Sequence, residues 1–250
     1  MLKEAIEFLV DLSVKPNERF VDVIDREGAE RIFTINGEGN AREITPIIRR
    51  AYESLSISTL TGLVDYIKSN RERKNAQFFL HVKDEKTVIL KGLLDTEGHR
   101  EEVINVEAIV PNFDYGHFLE AEELIISLQS KFVPTNDRDL LLKVVGNVKE
   151  ENVRSTGDNG FSQAVTIKTG VASADDVIVP NPVELAPYRT FLEVEQPASS
   201  FIFRMKNGPR GAIFEADGGA WRNKAISNIK EYLKKELSEE IESGKITIIA

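Results

Sequence analysis

Apolar residues along this chain repeat with two periods, one helical and one extended, and the periods alternate from end to end. Leu2, Ile6, Leu9, Val10 and Leu12 fall at helical spacing, and Glu4, Glu7 and Asp11 lie among them. That pattern predicts an amphipathic helix and not a signal peptide, whose central region is uncharged. RFVDVIDREGAERIFTI alternates apolar and polar positions on either side of Glu27-Gly28, which predicts a hairpin. The polar stretch NGEGNAREITP (36–46) predicts a loop. Ser58 is positioned to cap a helix whose apolar face is Leu60, Leu63, Val64 and Ile67. QFFLHVKD (77–84), KTVILKGLLD (86–95) and EEVINVEAIVP (101–111) predict an antiparallel meander, with turns at Asp84-Glu85 and Glu97-Gly98.

GHFLEAEELIISLQSKF (116–132) predicts a helix ended by Pro134. NDRDLLLKVVG (136–146) predicts another, capped by Thr135 or Asn136 and closed at Gly146. Gly157-Asp158-Asn159-Gly160 reads as a hairpin turn. Pro180, Pro182, Pro187 and Pro197 restrict the following extended pieces to sheet edges. SSFIFRMK (199–206) and GAIFEA (211–216) form a further hairpin around Asn207-Gly208. From about 219 to 242 a helix carries Trp221, Ala225, Ile229, Tyr232 and Leu233 on one stripe, continuing to Leu237 and Ile241. KITIIA closes as a strand. The expected class is α+β: antiparallel strand meanders with packed helices and a long C-terminal helix. A boundary near 133–136 divides an N-terminal α+β region (1–133) from a β-rich region ending in the long helix (134–250), unless the two form one continuous domain.

Composition narrows the field. The 250 residues are 41% hydrophobic and 29% charged, ordinary for a globular protein with a substantial core. No apolar run approaches the roughly 20 residues that span a bilayer. There is no cysteine, which excludes disulfides, thiolate metal sites and cysteine nucleophiles. A cytoplasmic setting is expected, with no membrane contact. The net charge of −9 argues against nonspecific nucleic-acid binding, which depends on clustered Lys and Arg.

Candidate chemistry is sparse. His81, His99 and His117 fall in a strand, a turn and a helix start, without the i, i+4 spacing of a zinc helix. A metal site would have to combine them with Asp114 or Glu120. Glu193 and Glu195 flank Val194 and would share one face of a short strand, as paired acids or as partners for Arg189 and Arg204. Asp175-Asp176 lies in a turn-like stretch. No GxSxG elbow or GxxxxGK[ST] loop is present. The exception to the acidity is a basic island: Arg204, Lys206, Arg210, Arg222 and Lys224 against Glu215 and Asp217. Within it Gly218 and Gly219 precede a helix start, where free N–H groups attract anions, and Trp221 offers a ring. Arg204, Lys206, Arg210, Gly218, Gly219, Trp221 and Arg222 are therefore the candidate anion or nucleotide site. A capping Asp217, with Trp221 in the core, explains the same residues structurally.

The runs VTIKTGVA, VPNPVELAPYRTFLEVEQPASSFIFRM and FEADGGAWRNKAI resemble phage and prophage proteins related to the YfdQ-like family. The resemblance rests on residues 137–235 and is looser upstream, where it depends on LVDYIKSN and the strands after it. It implies expression from a phage genome within a bacterial host, and it carries over no catalytic residue and no cofactor. The expected function is that of a non-enzymatic, homo-oligomeric accessory protein of the host cytoplasm. It would act by binding a nucleotide-like anion or a host defence component. One alternative is a single-stranded DNA accessory protein for replication or recombination, stacking bases on Phe201, Phe203 and Trp221. The other is a metal-dependent hydrolase using the histidines, Asp114 or Glu193 with Glu195.

Overall fold

The computed structural model describes residues 19–24, 30–44, 51–69, 71–72, 76–95, 98–147, 163–169, 173–179, 181–206 and 210–250. The expected helix at 2–12 and the turns at 157–160 and 207–208 lie outside them. The chain divides into two compact units, Met1–Arg50 and Ala51–Ala250.

In the first unit, strands β1 (Arg19–Ile24), β2 (Glu30–Ile35) and β3 (Ala41–Ile44) form an antiparallel sheet in that order. The alternation around Glu27-Gly28 is thus a pair of strands. The loop expected over 36–46 contains β3, a correction with a local cause. Asn36 Oδ1 accepts the N–H groups of Glu38 (3.1 Å) and Asn40 (2.8 Å), and Gly39 adopts φ 84°. This side-chain turn returns the chain tightly enough for Ala41–Ile44 to pair with β2.

The second unit runs β4 (Leu55–Ile57), α1 (Leu60–Ser69), β5 (Phe78–Val82), β6 (Thr87–Gly92), β7 (Glu102–Glu107), β8 (Leu119–Glu120), α2 (Ala121–Lys131) and α3 (Asn136–Asn147). It continues with β9 (Gln163–Thr169), β10 (Ser173–Val179), β11 (Val183–Leu185), β12 (Ser199–Lys206), β13 (Arg210–Glu215), α4 (Trp221–Glu236), α5 (Ser238–Glu242) and β14 (Ile246–Ile249). The fold is α+β. β5, β6 and β7 form the expected meander, extended by parallel pairing to β14 on one side and β4 on the other. A second sheet has the order β11-β12-β13-β8, and β9 and β10 pair antiparallel.

Several local expectations change for physical reasons. The cap of α1 is Thr59 and not Ser58, because Thr59 Oγ1 accepts the Gly62 N–H at 3.2 Å. The helix expected from 116 begins at 121, since Leu119 and Glu120 pair with Gly211 and Arg210. Thr135 caps α3, accepting the Arg138 N–H at 3.1 Å. Asp175 and Asp176 lie within β10 opposite Ile167 and Thr166, not in a turn. The final helix is interrupted at Leu237, where the backbone turns (φ −113°, ψ 29°) and Leu237 itself is fully buried.

Two apolar clusters stabilise this unit. One packs Leu60, Leu63 and Ile67 of α1 and Ile229 and Leu233 of α4 onto Leu80, Leu90, Ile104 and Ile246 of the first sheet. The other packs Leu124 and Leu128 of α2 and Leu141 and Val144 of α3 onto Val183, Phe201, Phe203 and Ile213. Each cluster joins residues on both sides of position 134. The stripe read on the last helix is used here, within the chain's own core: Trp221, Ala225, Ile229, Leu233 and Leu237 are buried.

Gly211 shows how closely the second cluster is fitted. A Cβ at this position would lie 2.6 Å from Leu124 Cδ2 and 3.1 Å from Phe203 Cε2. Gly211→Ala is expected to cost about 1–3 kcal/mol by overpacking. Urea unfolding of Gly211→Ala, Leu124→Ala and the double variant checks this, because the alanine penalty should shrink once Leu124 is shortened.

Residues 186–198 link the two clusters although most of them lack regular structure. Val133 N–H donates to Ala186 O (2.8 Å) and Tyr188 N–H to Lys131 O (2.9 Å), fixing one end beside α2. Thr190 Oγ1 donates to Glu85 O, Asn228 Nδ2 donates to Glu195 O (2.9 Å), and Phe191 and Val194 enter the first cluster. Inside the segment Gln196 makes four hydrogen bonds. Its Oε1 accepts the N–H groups of Arg189 (3.0 Å) and Thr190 (3.2 Å), and its Nε2 donates to the carbonyls of Phe191 (2.9 Å) and Val194 (3.3 Å). The short strand expected for FLEVEQP is therefore a turn, folded around an amide that satisfies its inward backbone groups.

Candidate anion-binding surface

Alternation along β12 separates the residues of the basic island. Phe201, Phe203 and Met205 point into the second cluster at 0%, 1% and 5% exposure, so Ile202, Arg204 and Lys206 face outward. The register sets Ile202 opposite Phe214, Arg204 opposite Ala212 and Lys206 opposite Arg210. Residues directly opposite share a face. Arg204, Lys206 and Arg210 are thereby brought together on the outer side of the β11-β12-β13-β8 sheet.

Aromatic rings border these cations. Lys206 Nζ lies 4.0 Å from the centroid of Phe118, and Phe118 meets Phe214 edge-on at 6.2 Å. Arg210 Nε pairs with Glu120 Oε1 at 2.6 Å across the β13–β8 edge, and both side chains are 56% exposed. A pair this exposed contributes little to stability, and its arginine is easily diverted to a competing anion. Phe118 and Phe214 are functional candidates that the sequence reading missed. Extending the β13 alternation from Arg210 would have placed Phe214. Phe118 carried no such signal, because its segment reads as helix.

Gly218, Gly219, Trp221 and Arg222 form a separate group. Gly218 and Gly219 take φ 62° and 83°. Asp217 Oδ1 accepts the Gly219 N–H (3.0 Å) and Oδ2 accepts the Trp221 N–H (3.2 Å). The carboxylate thus occupies helix-start donors that an anion would otherwise use. Gly219 also leaves room for Arg222, whose Nη1 would lie 2.4 Å from a Cβ built there. Arg222 crosses the edge of the turn to Glu85 Oε1 (3.5 Å) and lies 4.9 Å from the Trp221 ring.

Trp221 is 6% exposed and is covered by Arg189, whose guanidinium carbon lies 3.8 Å from the ring centroid. Arg189 is equally buried. It lies 5.6 Å from the Phe201 ring on the inner side of the sheet. It donates to Ser199 Oγ, to Pro197 O (3.4 Å) and to Glu215 Oε1 (3.2 Å). Burial lowers its pKa below the usual arginine value, against the opposing effect of Tyr115, Glu215 and Asp217. Tyr115 stacks on the Phe201 ring at 5.6 Å, and burial pushes its phenol up to about 12. Arg189 and Trp221 thus belong to the inner side of the sheet, whereas Arg204 and Lys206 belong to the outer. The seven candidate residues form two groups, not one pocket.

The other candidates disperse. Phe201 and Phe203 are buried and Trp221 is covered, so none of the rings assigned to base stacking is available for it. Glu193 Oε1 accepts the Thr61 N–H (3.2 Å) at the start of α1, while Glu195 is exposed and joins its own backbone carbonyl to Asn228. Arg189, one of the partners expected for them, pairs instead with Glu215. His81 lies on β5, His99 beside Asp95 (3.9 Å) and His117 beside Asp114 (2.9 Å). Among the described residues no group of three or more His, Asp or Glu is placed to hold a metal ion, and no helix is long and apolar enough to cross a membrane.

Comparison with models of protein families, with curated proteins and with solved structures finds no match in any of the three.

Proposed function

We propose that the chain is a non-enzymatic, homo-oligomeric accessory protein that acts by binding a nucleotide-like anion on the outer face of the β11-β12-β13-β8 sheet. The alignment of Arg204, Lys206 and Arg210 beside Phe118 and Phe214 carries this reading. Cations supply charge-assisted hydrogen bonds to phosphate oxygens, and the rings offer a flat apolar border for a base. The setting is a phage genome expressed in a bacterial host cytoplasm, a proposal resting on the sequence resemblance alone. In that setting, sequestering a phosphorylated signal or blocking a host defence component is the expected use.

Calorimetry with mononucleotides and cyclic nucleotides tests the anion site. Arg204→Glu with Lys206→Glu should weaken binding at least about tenfold, since each lost charge-assisted bond is worth about 1.5–3 kcal/mol. Arg222→Glu, in the first turn of α4 and away from the outer face, should leave affinity unchanged. Absence of any binding by the wild-type chain would end this reading. The exposed parts of Phe118 and Phe214 also favour, as a second reading, single-stranded DNA on the same face. Trp221 is covered and would report binding poorly, so anisotropy of a labelled oligonucleotide is the appropriate measurement. Salt-insensitive or absent binding removes the idea.

A further inference from the structure

α1 and α4 cover one face of the five-stranded sheet, and the opposite face presents a different arrangement of groups. Ser56, Asn105, Ile89, His81 and Ile249 form a row across β4, β7, β6, β5 and β14. To one side of this row stand Lys83, Thr87 and Glu107, joined by the Lys83 N–H to Thr87 O bond and the Thr87–Glu107 register. To the other side stand Phe79, Lys91 and Glu102. The charges are sorted by strand. β5 and the residue after it present His81 and Lys83, β7 presents Glu102, Asn105 and Glu107, and β6 between them carries Ile89 at 7% exposure and Lys91, which is already paired with Glu102 at 2.9 Å. Ile249, at the β14 edge, is 46% exposed.

We infer that this face is the interface with a second copy of the chain, related by a two-fold axis lying parallel to β6. The inference rests on the homo-oligomeric part of the proposed function and assigns it a surface. Such an axis lays β5 of each copy over β7 of the other. Lys83 then meets the second copy's Glu107, twice by symmetry, while His81 comes opposite Asn105 and Ile89 packs against Ile89 at the centre. The alternative axis, along the transverse row, would set Glu107 over Glu102 and Lys83 over Phe79, pairing like charges and leaving the lysine without an acid. On the favoured axis Lys91 comes over Lys91, but each is held by its own Glu102 at 2.9 Å, so the two Lys83–Glu107 pairs favour a second copy in this orientation. Two sheets meeting this way adopt the aligned packing of a β-sandwich. The footprint is about 24 by 15 Å from strand spacing and rise. That is roughly 360 Å² per copy, below the about 800 Å² per partner of a standard interface, so the association is weak and concentration-dependent.

Sedimentation of the full chain over a range of concentrations tests this. Wild-type protein should pass from monomer to dimer, and Lys83→Glu or Glu107→Lys alone should raise the dissociation constant at least about tenfold. Mixing the two variants should restore association as a heterodimer, because in one pair the new acid of the first faces the new base of the second, and in the other the native Glu107 faces the native Lys83. Carrying both substitutions in one chain should restore the homodimer. Misfolded chains cannot produce that rescue. A wild-type chain that stays monomeric overturns both this interface and the oligomeric reading, leaving the face to other occupants. A dimer insensitive to both substitutions overturns the interface alone. Weakening without rescue on mixing overturns the assigned pairing.

Discussion

Arg189→Leu is expected to lower the unfolding free energy by about 3 kcal/mol, measured by urea denaturation with an unchanged m-value. The side chain is 6% exposed and holds two aromatic rings, Trp221 at 3.8 Å and Phe201 at 5.6 Å, while donating to Ser199, Pro197 and Glu215. Leucine fills part of the volume but leaves Ser199 Oγ, the Pro197 carbonyl and the Glu215 carboxylate without their donor. Breaking a buried pair from one side costs about 3–5 kcal/mol. Glu215 is 37% exposed and can rehydrate, which places the expectation at the lower end. Arg189→Lys separates charge from shape. It keeps the cation but loses the planar stack and the forked donors, and should cost about 2 kcal/mol. A neutral lysine variant would show that the stack contributes nothing beyond its charge.

Gln196→Leu should be comparably harmful, costing about 3 kcal/mol by the same measurement. The amide is 8% exposed and answers two backbone N–H groups and two carbonyls of its own segment. Each group left buried and unpaired costs about 1–3 kcal/mol, and relaxation of the turn toward water recovers part of the sum. Gln196→Glu supplies a further check. An ionised carboxylate still accepts from Arg189 and Thr190 but turns an oxygen toward the Phe191 and Val194 carbonyls. The protonated acid can donate to one of them, so burial and these carbonyls raise the folded pKa above the unfolded one. The protonated form is then the favoured one in the folded state. Relative to wild type, the variant is expected to be least destabilised at acidic pH and to lose stability as pH rises through its folded pKa.

The periodic parts of the fold were legible in the sequence. The meander over 77–111, the β12–β13 hairpin and the α1 face follow from alternation and 3.6-residue spacing, because burial on one side imposes those periods. Part of what escaped is local, such as the Asn36 side-chain turn that admits β3, but most of it depends on partners distant in sequence. β8 is a strand only because Arg210 and Gly211 lie beside it, and α4 stops where Leu237 drops into the first cluster. The FLEVEQP turn is folded around its own Gln196 and held from outside by Asn228 and, through Thr190, by Glu85, contacts that its alternating pattern does not announce. The candidate site divides in the same way. Outward Arg204 and Lys206 follow from strand alternation, whereas the cover on Trp221 depends on Arg189, thirty-two positions earlier in the chain.

The segment 186–198 carries a wider consequence. Irregular connections are ordinarily where a protein absorbs substitutions, insertions and drift, because their side chains face water and their backbones are free to adjust. Here that latitude is reversed. Arg189, Thr190, Phe191 and Gln196 are buried, three of them through side-chain hydrogen bonds and Phe191 through packing in the first cluster. The outward surface of a helix such as α2, where Ile126 and Gln129 face solvent, has far more freedom to change. A residue pattern shared over 186–198 by other chains would therefore testify to common architecture, and would leave their chemistry to be read from the surfaces that the architecture presents.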